Sequence, residues 1–180
     1  MRVTEMLIVR KATPTDATVL AGFLAECAVG HPAQGTTPDA AWIRDVMLGD
    51  PSICRVLIAE HGATPIGFAS WRPTYDYLFG IRGAEVVWLF IQPSYRGVGV
   101  AAVLLAQVCA DVLKDGGAFL WGAYREAHVG KFYERMVRSQ PETWVGLSSE
   151  DVEFLAKLAG QGPRAIARAM RERTSDGPRG

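Results

Sequence analysis

The chain has 180 residues, 49% of them apolar and 21% charged, with a formal net charge of zero. That size suits one domain with a buried core, and the charge balance gives no case for nucleic acid or an anionic membrane as partner. No apolar run approaches the roughly 20 residues of a membrane helix, and Met6-Leu7-Ile8-Val9 is too short for a secretory h-region. Cys27, Cys54 and Cys109 are widely spaced and odd in number, so they frame neither a metal site nor disulfides. Their apolar contexts predict buried thiols, and the implied setting is reducing and cytoplasmic.

Met6 to Lys11 reads as a first strand. Thr13-Pro14-Thr15-Asp16 reads as a helix start, with Thr13 at N-cap, Pro14 at N1 and Asp16 at N3. Val19, Leu20, Phe23, Leu24 and Cys27 continue at helical spacing. After a loop from Gly30 to Thr36, Thr37-Pro38-Asp39 opens a second helix with Trp42, Ile43, Val46 and Met47 on one face and Gly49 as its stop. Ile53 to Glu60 and Ile66 to Trp71 read as an antiparallel pair around the turn His61-Gly62-Ala63-Thr64-Pro65, and Arg72 to Gly83 reads as a loop. Ala84 to Ile91 reads as a buried strand, and a helix then runs to about Lys114, stopped by Gly116-Gly117. Ala118 to Ala123 is the next strand, Ala127 to Val137 another helix, and Thr143 to Leu147 a short last strand. The expected fold is mixed α/β (α+β): a mostly antiparallel central sheet with one β-α-β unit.

Between the buried strand and its helix lies Arg96-Gly97-Val98-Gly99-Val100-Ala101. A glycine turn there leaves bare N–H groups at a helix N-terminus, which suits a phosphate or pyrophosphate. Arg96 adds a fixed charge and a donor fork. Three ligand readings compete, beside that of a plain tight turn. A P-loop needs Lys-Ser/Thr after the last glycine, and this chain has Val100-Ala101-Ala102. Gly97-Val98-Gly99-Val100-Ala101-Ala102 fits the dinucleotide pattern G-x-G-x-x-A, but too little chain follows for several βαβ units. The third reading is an acyl-CoA site.

On these residues the sequence resembles the GNAT superfamily of N-acetyltransferases, whose signature Q/R-x-x-G-x-G/A is filled by Arg96, Gly99 and Ala101. The element order agrees, and the resemblance covers about residues 7 to 147. It implies a GNAT fold that binds acetyl-CoA as co-substrate, without a metal. The expected cofactor residues are Arg96, Gly97, Val98, Gly99, Val100 and Ala101 for the pyrophosphate, and Leu89, Phe90 and Ile91 for the pantetheine and thioester. A bulge in that strand is expected to open it to the cofactor, with the N–H of Leu89 or Phe90 facing the thioester carbonyl. By the same resemblance Glu85 is the general base and Tyr133 the general acid. Beside those roles stand a solvated or Arg82-paired glutamate and a half-buried helix aromatic. The sequence departs from the family at Glu126, Val129 and Met136-Val137-Arg138.

Trp71, Tyr75 and Tyr77, with Asp76, are candidates for holding a cationic amine by cation–π and charge contacts, or else for anchoring a loop. His31, His61 and His128 read as surface histidines with no partner at metal spacing. Residues 1–148 are expected to form the acetyltransferase domain, 149–173 a helical extension and 174–180 a disordered tail. The extension, with Arg164, Arg168 and Arg171 on one face, reads as packed on the domain with a solvated basic face, or else as a homodimer arm or substrate lid. The function implied is transfer of acetyl from acetyl-CoA to a primary amine, on a small molecule or a peptide lysine, in a ternary complex. The alternatives are a non-catalytic acyl-CoA-binding regulator of the same fold and a nicotinamide-nucleotide protein.

Overall fold

The computed structural model describes residues 7–29, 35–122, 168, 169 and 172. The chain forms two compact units, Met1–Ser139 and Gln140–Gly180. In the second, Arg168, Ala169 and Glu172 are helical, with Arg168 Nε 3.6 Å from Glu172 Oε1. The expected helix at 127–137, the strand at 143–147, Tyr133, His31 and His128 lie outside the described residues. Among the described residues no helix is long and apolar enough to cross a membrane.

Among the described residues the first unit is built on a five-stranded sheet in sequential order. Strands β1 (Leu7–Lys11), β2 (Arg55–His61), β3 (Thr64–Asp76) and β4 (Ile81–Ile91) pair antiparallel, and β4 pairs parallel with β5 (Phe119–Trp121). The parallel pair needs a crossover, and α3 (Val100–Lys114) supplies it. Helix α1 (Ala17–Ala28) and a short α2 (Ala40–Trp42) precede β2. The result is the expected mixed sheet.

Two apolar layers cover the sheet, as the period-2 alternation of its strands requires. On one face Phe68, Ile58, Val56 and Phe90 pack against Leu20, Phe23, Ile43 and Met47. Phe23 stacks parallel to Phe68 at 6.0 Å between centroids and tilts on Phe90 at 5.2 Å. On the other face Leu57, Ala59, Ile66, Ala69, Trp71 and Ile91 meet Val100, Leu104, Val108 and Val112 of α3. Every fourth or third residue of α3 enters this layer, which is the stripe its spacing predicts.

Several expectations need correction. Residues 72–83 are not a loop: β3 runs on to Asp76 and β4 starts at Ile81. Asp76 Oδ1 accepts from the N–H groups of Leu78 (2.9 Å) and Phe79 (3.2 Å), a side-chain turn that closes a long hairpin. The second helix is short, capped by Asp39 Oδ1 on the Trp42 N–H. It passes into a π-helical turn, Ile43–Met47, where the Leu48 N–H reaches back to the Ile43 carbonyl. The wider turn buries Ile43 and Met47 and leaves Trp42 exposed. Among the cysteines only Cys54 is buried; Cys27 is half-buried and Cys109 exposed. Burial pushes the Cys27 thiol up to about 11.

The entry to α1 is held by charge. Thr13 and Asp16 form the expected capping box around a 3-10 turn, Pro14–Asp16. Asp16 also takes both Arg10 Nη groups at 2.8 Å, while Arg10 Nε and Nη2 donate to Glu60 Oε1. This ties β1, β2 and α1 together. The Arg10 hydrogen bonds hold the Asp16 carboxyl at about 2, below its ordinary 3.8.

A depressed carboxylate stabilises the fold above its unfolded pKa and loses that contribution as pH falls. Acid titration of the wild type is therefore expected to show a stability loss of about 2 kcal/mol between about pH 4 and pH 2, and Asp16→Asn is expected to remove that step. Phe68→Ala is expected to cost about 3–5 kcal/mol in denaturant unfolding, from lost burial plus a cavity between two aromatic rings.

Candidate active site at the bulge of β4

Residue pairing between β3 and β4 slips once. Ser70 lies opposite Trp88 and Trp71 opposite Val86, so Val87 is an extra residue with no partner. This is the bulge expected of the strand. It turns the chain over. Ala84 faces α3, and after the bulge Leu89 and Ile91 face α3 again although the intervals are odd. The α1-side row therefore reads Glu85, Trp88, Phe90, opposite Arg72, Ser70, Phe68. Val87 is 42% exposed and Trp88 37%.

The described pairing of β4 with β5 covers Gly83 to Glu85 against Phe119 to Trp121. Gly83 makes this joint possible, since a Cβ there would stand 2.5 Å from the Phe119 ring. Beyond it, backbone direction follows from two bonds. The Gln92 N–H donates to the Ile66 carbonyl, and Arg96 Nε donates to the outward Ile91 carbonyl, both at 2.9 Å. Antiparallel alternation then turns the N–H groups of Trp88 and Phe90 toward β3 and those of Leu89 and Ile91 away from it. Of the two oxyanion-hole candidates, Leu89 presents its N–H on the side that β5 occupies.

The glycine turn follows a 3-10 turn, Pro93–Tyr95. Gly97 (φ 79°) and Gly99 (φ 96°) are left-handed, which favours glycine, and a Cβ at either would meet open space. Gly99 is the N-cap of α3, and its carbonyl accepts from the Val103 N–H at 3.1 Å. No backbone bond from the N–H groups of Gly97 through Ala102 is found among the described residues. Arg96 is exposed, and its guanidinium folds back over the Phe90 ring at 6.0 Å. Its Nε is spent on Ile91, and its Nη groups have no hydrogen-bond partner among the described residues.

The remaining candidates separate. Glu85 is 19% exposed, and its Oε2 accepts from Arg72 Nε at 2.5 Å. The sequence suggested Arg82 as partner; Arg72 becomes visible only with the cross-strand register. Arg82 instead binds the Tyr75 hydroxyl through Nε and Nη2 and lies over the Tyr75 ring at 5.5 Å. Tyr75 and Asp76 are thus engaged within the hairpin. Tyr77 is 90% exposed, stacked beside Tyr75. Trp71 is 2% exposed and packs toward α3, on the face opposite Glu85. Trp71 and Tyr75 do share a cavity of about 510 Å³, with Arg55, Arg82 and Lys114, at the C-terminal end of α3 and away from the glycine turn. His61 is only partly exposed: its Nε2 is buried and its ring lies 5.7 Å from Tyr95. No group of three metal-ligating side chains occurs among the described residues.

This architecture has known counterparts. Residues 52–136 match the family model described as an acetyltransferase (GNAT) domain. Through this segment the chain is similar to the GNAT acetyltransferases. No curated protein matches the sequence. Among solved structures, an integron cassette protein from the mobile metagenome of V. cholerae matches with TM-score 0.68 at 16% identity, over 84% of this chain and 98% of its own. The ribosomal-protein-alanine N-acetyltransferase from Brucella melitensis biovar Abortus 2308 matches with TM-score 0.66 at 18% identity, over 79% and 98%. An aminoglycoside acetyltransferase from an uncultured soil metagenomic sample matches with TM-score 0.68 at 12% identity, over 82% and 97%. Such identities establish a common fold.

Gly83→Ala is expected to destabilise the unit by about 1–3 kcal/mol through crowding against Phe119, read as a lower thermal midpoint.

Proposed function

We propose that the protein transfers an acetyl group from acetyl-CoA to a primary amine by direct attack in a ternary complex. The observation that carries this reading is the run of backbone donors from Gly97 to Ala102, set at the N-terminus of α3 and at the end of a bulged strand. Six N–H groups with no backbone partner among the described residues, and a helix dipole behind them, suit the coenzyme A pyrophosphate. Gly97, Val98, Gly99, Val100 and Ala101 form that cradle, and the Nη groups of Arg96 close it. The pantetheine amides pair along Leu89 to Ile91 as an added strand would.

The chemistry then falls at the bulge. The amine arrives as an ammonium with pKa about 10.4 and must lose a proton. Glu85 takes it, directly or through water. The amine nitrogen attacks the thioester carbon, and the developing oxyanion is met by the Leu89 N–H. The C–S bond breaks, the departing thiolate takes a proton from Tyr133, whose sequence context resembles that of the family's tyrosine, and the second proton shed by the nitrogen as the amide forms restores that tyrosine through water. The acceptor is a small-molecule amine or a peptide lysine. Ribosomal-protein and aminoglycoside acetyltransferases of the same fold make both classes reasonable candidates. The unit works in the cytoplasm, where acetyl-CoA is available, and needs no metal.

Calorimetry with acetyl-CoA and a thiol-release assay with an amine panel test this reading. The wild type is expected to bind and turn over. Gly99→Val is expected to weaken acetyl-CoA binding at least about tenfold, because it forces a branched side chain into left-handed backbone. Glu85→Gln is expected to lower kcat by about 10²–10⁴ with coenzyme affinity retained. Binding without turnover on any amine identifies a regulator, and stabilisation by NAD in place of acetyl-CoA overturns the reading.

A further inference from the structure

The α1-side face of the sheet changes character along its length. Phe68 and Phe90 make one end apolar, Ser70 and Trp88 follow, and Arg72 and Glu85 make the other end charged. Two features of this row are unspent. Ser70 is fully buried, yet its Oγ has no hydrogen-bond partner among the described residues. A buried hydroxyl left alone costs about 1–3 kcal/mol. Arg72 gives only its Nε to Glu85. Its side chain is 58% exposed, and its two Nη groups have no partner among the described residues. A cross-strand ion pair for stability alone contributes about 0.2–1 kcal/mol and requires no free end of the guanidinium fork. The row therefore offers, beside the bulge, one carboxylate for a cation, one unspent guanidinium edge for an anion and one orphan hydroxyl. Arg72 and Ser70 stand two residues apart on β3, about 7 Å along the strand. That is the span of a short bifunctional molecule.

We infer that the acceptor is an amine carrying its own anionic group, a carboxylate or phosphonate a few atoms from the nitrogen, and that Arg72 is the residue that selects it. The ammonium meets Glu85, and the anionic group takes the Arg72 Nη edge in a charge-assisted pair. The Ser70 hydroxyl gives the bound molecule a further hydrogen bond. Selection follows because a neutral analogue leaves that guanidinium edge without the pair. This inference rests on the acetyl-transfer reading above and narrows its substrate class.

The experiment uses the full chain, acetyl-CoA and three matched acceptors: β-alanine, 2-aminoethylphosphonate and β-alaninamide, which keeps the shape but not the charge. For the wild type, kcat/KM for at least one acid is expected to exceed that for the amide by about tenfold or more, the size of one charge-assisted hydrogen bond. Arg72→Gln is expected to bring the acid-to-amide ratio to near one, and Arg72→Lys to retain part of it. A preference for β-alanine identifies the carboxylate source, and one for the phosphonate identifies a phosphate-like source. Equal or better use of the amide overturns the inference while leaving acetyl transfer intact. So does an Arg72→Gln effect that lowers acid and amide alike, since that is the signature of a merely structural ion pair. No acetyl-CoA binding and no transfer to any amine overturns both readings together.

Discussion

Strand β4 has one more residue than its partner can match, and that mismatch organises the site. Before Val87 the strand presents Glu85 to the α1 side; after it, the phase is reversed and Phe90 is presented there instead. Two side chains an odd number of positions apart thus share a face that a regular strand would deny them. The same strand has different partners on its two sides, antiparallel β3 and parallel β5. Parallel and antiparallel ladders space their bonds differently. A strand serving both is a natural place for the sheet to part.

The two ends of β4 are secured by different means. At the start, Gly83 admits the Phe119 ring, and the Ala118 N–H donates to the Arg82 carbonyl at 2.8 Å. At the finish, Arg96 Nε covers the Ile91 carbonyl, and Gln92 is bonded to Ile66. Helix α3 lies between these points, with its first turn open and its last turn closed by Gly116 and Gly117. The donors of the glycine turn are therefore held by a packed frame before any ligand arrives. Pre-organisation of this kind spares a ligand the cost of ordering the loop.

Much of this was legible in the residues. The capping signal at Thr13–Asp16, the stripe of α3 and the glycine turn are local patterns, and each appears where periodicity and turn chemistry place it. What escaped was non-local. The long β3–β4 hairpin depends on pairing between strands, which the composition of residues 72–83 does not show, and Asp76 closes it with its own side chain. Arg72 as the partner of Glu85 depends on a register containing a bulge, which sequence spacing alone does not reveal. Trp71 looked like an open-groove aromatic, yet the same alternation that brings Arg72 to the α1 side sends Trp71 into the α3 layer. The buried Nε2 of His61 and the exposure of Cys109 likewise depend on which face each one meets.

The unmatched position at 87 also bears on how such a chain can drift. Replacing a side chain there alters one contact, whereas losing or gaining a single residue between Asp76 and Ile91 rotates everything on one side of it by half a turn. Inheritance is then strict about count and lenient about kind. Side chains at 72 and 85 can then change without moving the frame, while the number of residues between the hairpin and the glycine turn is what the register constrains.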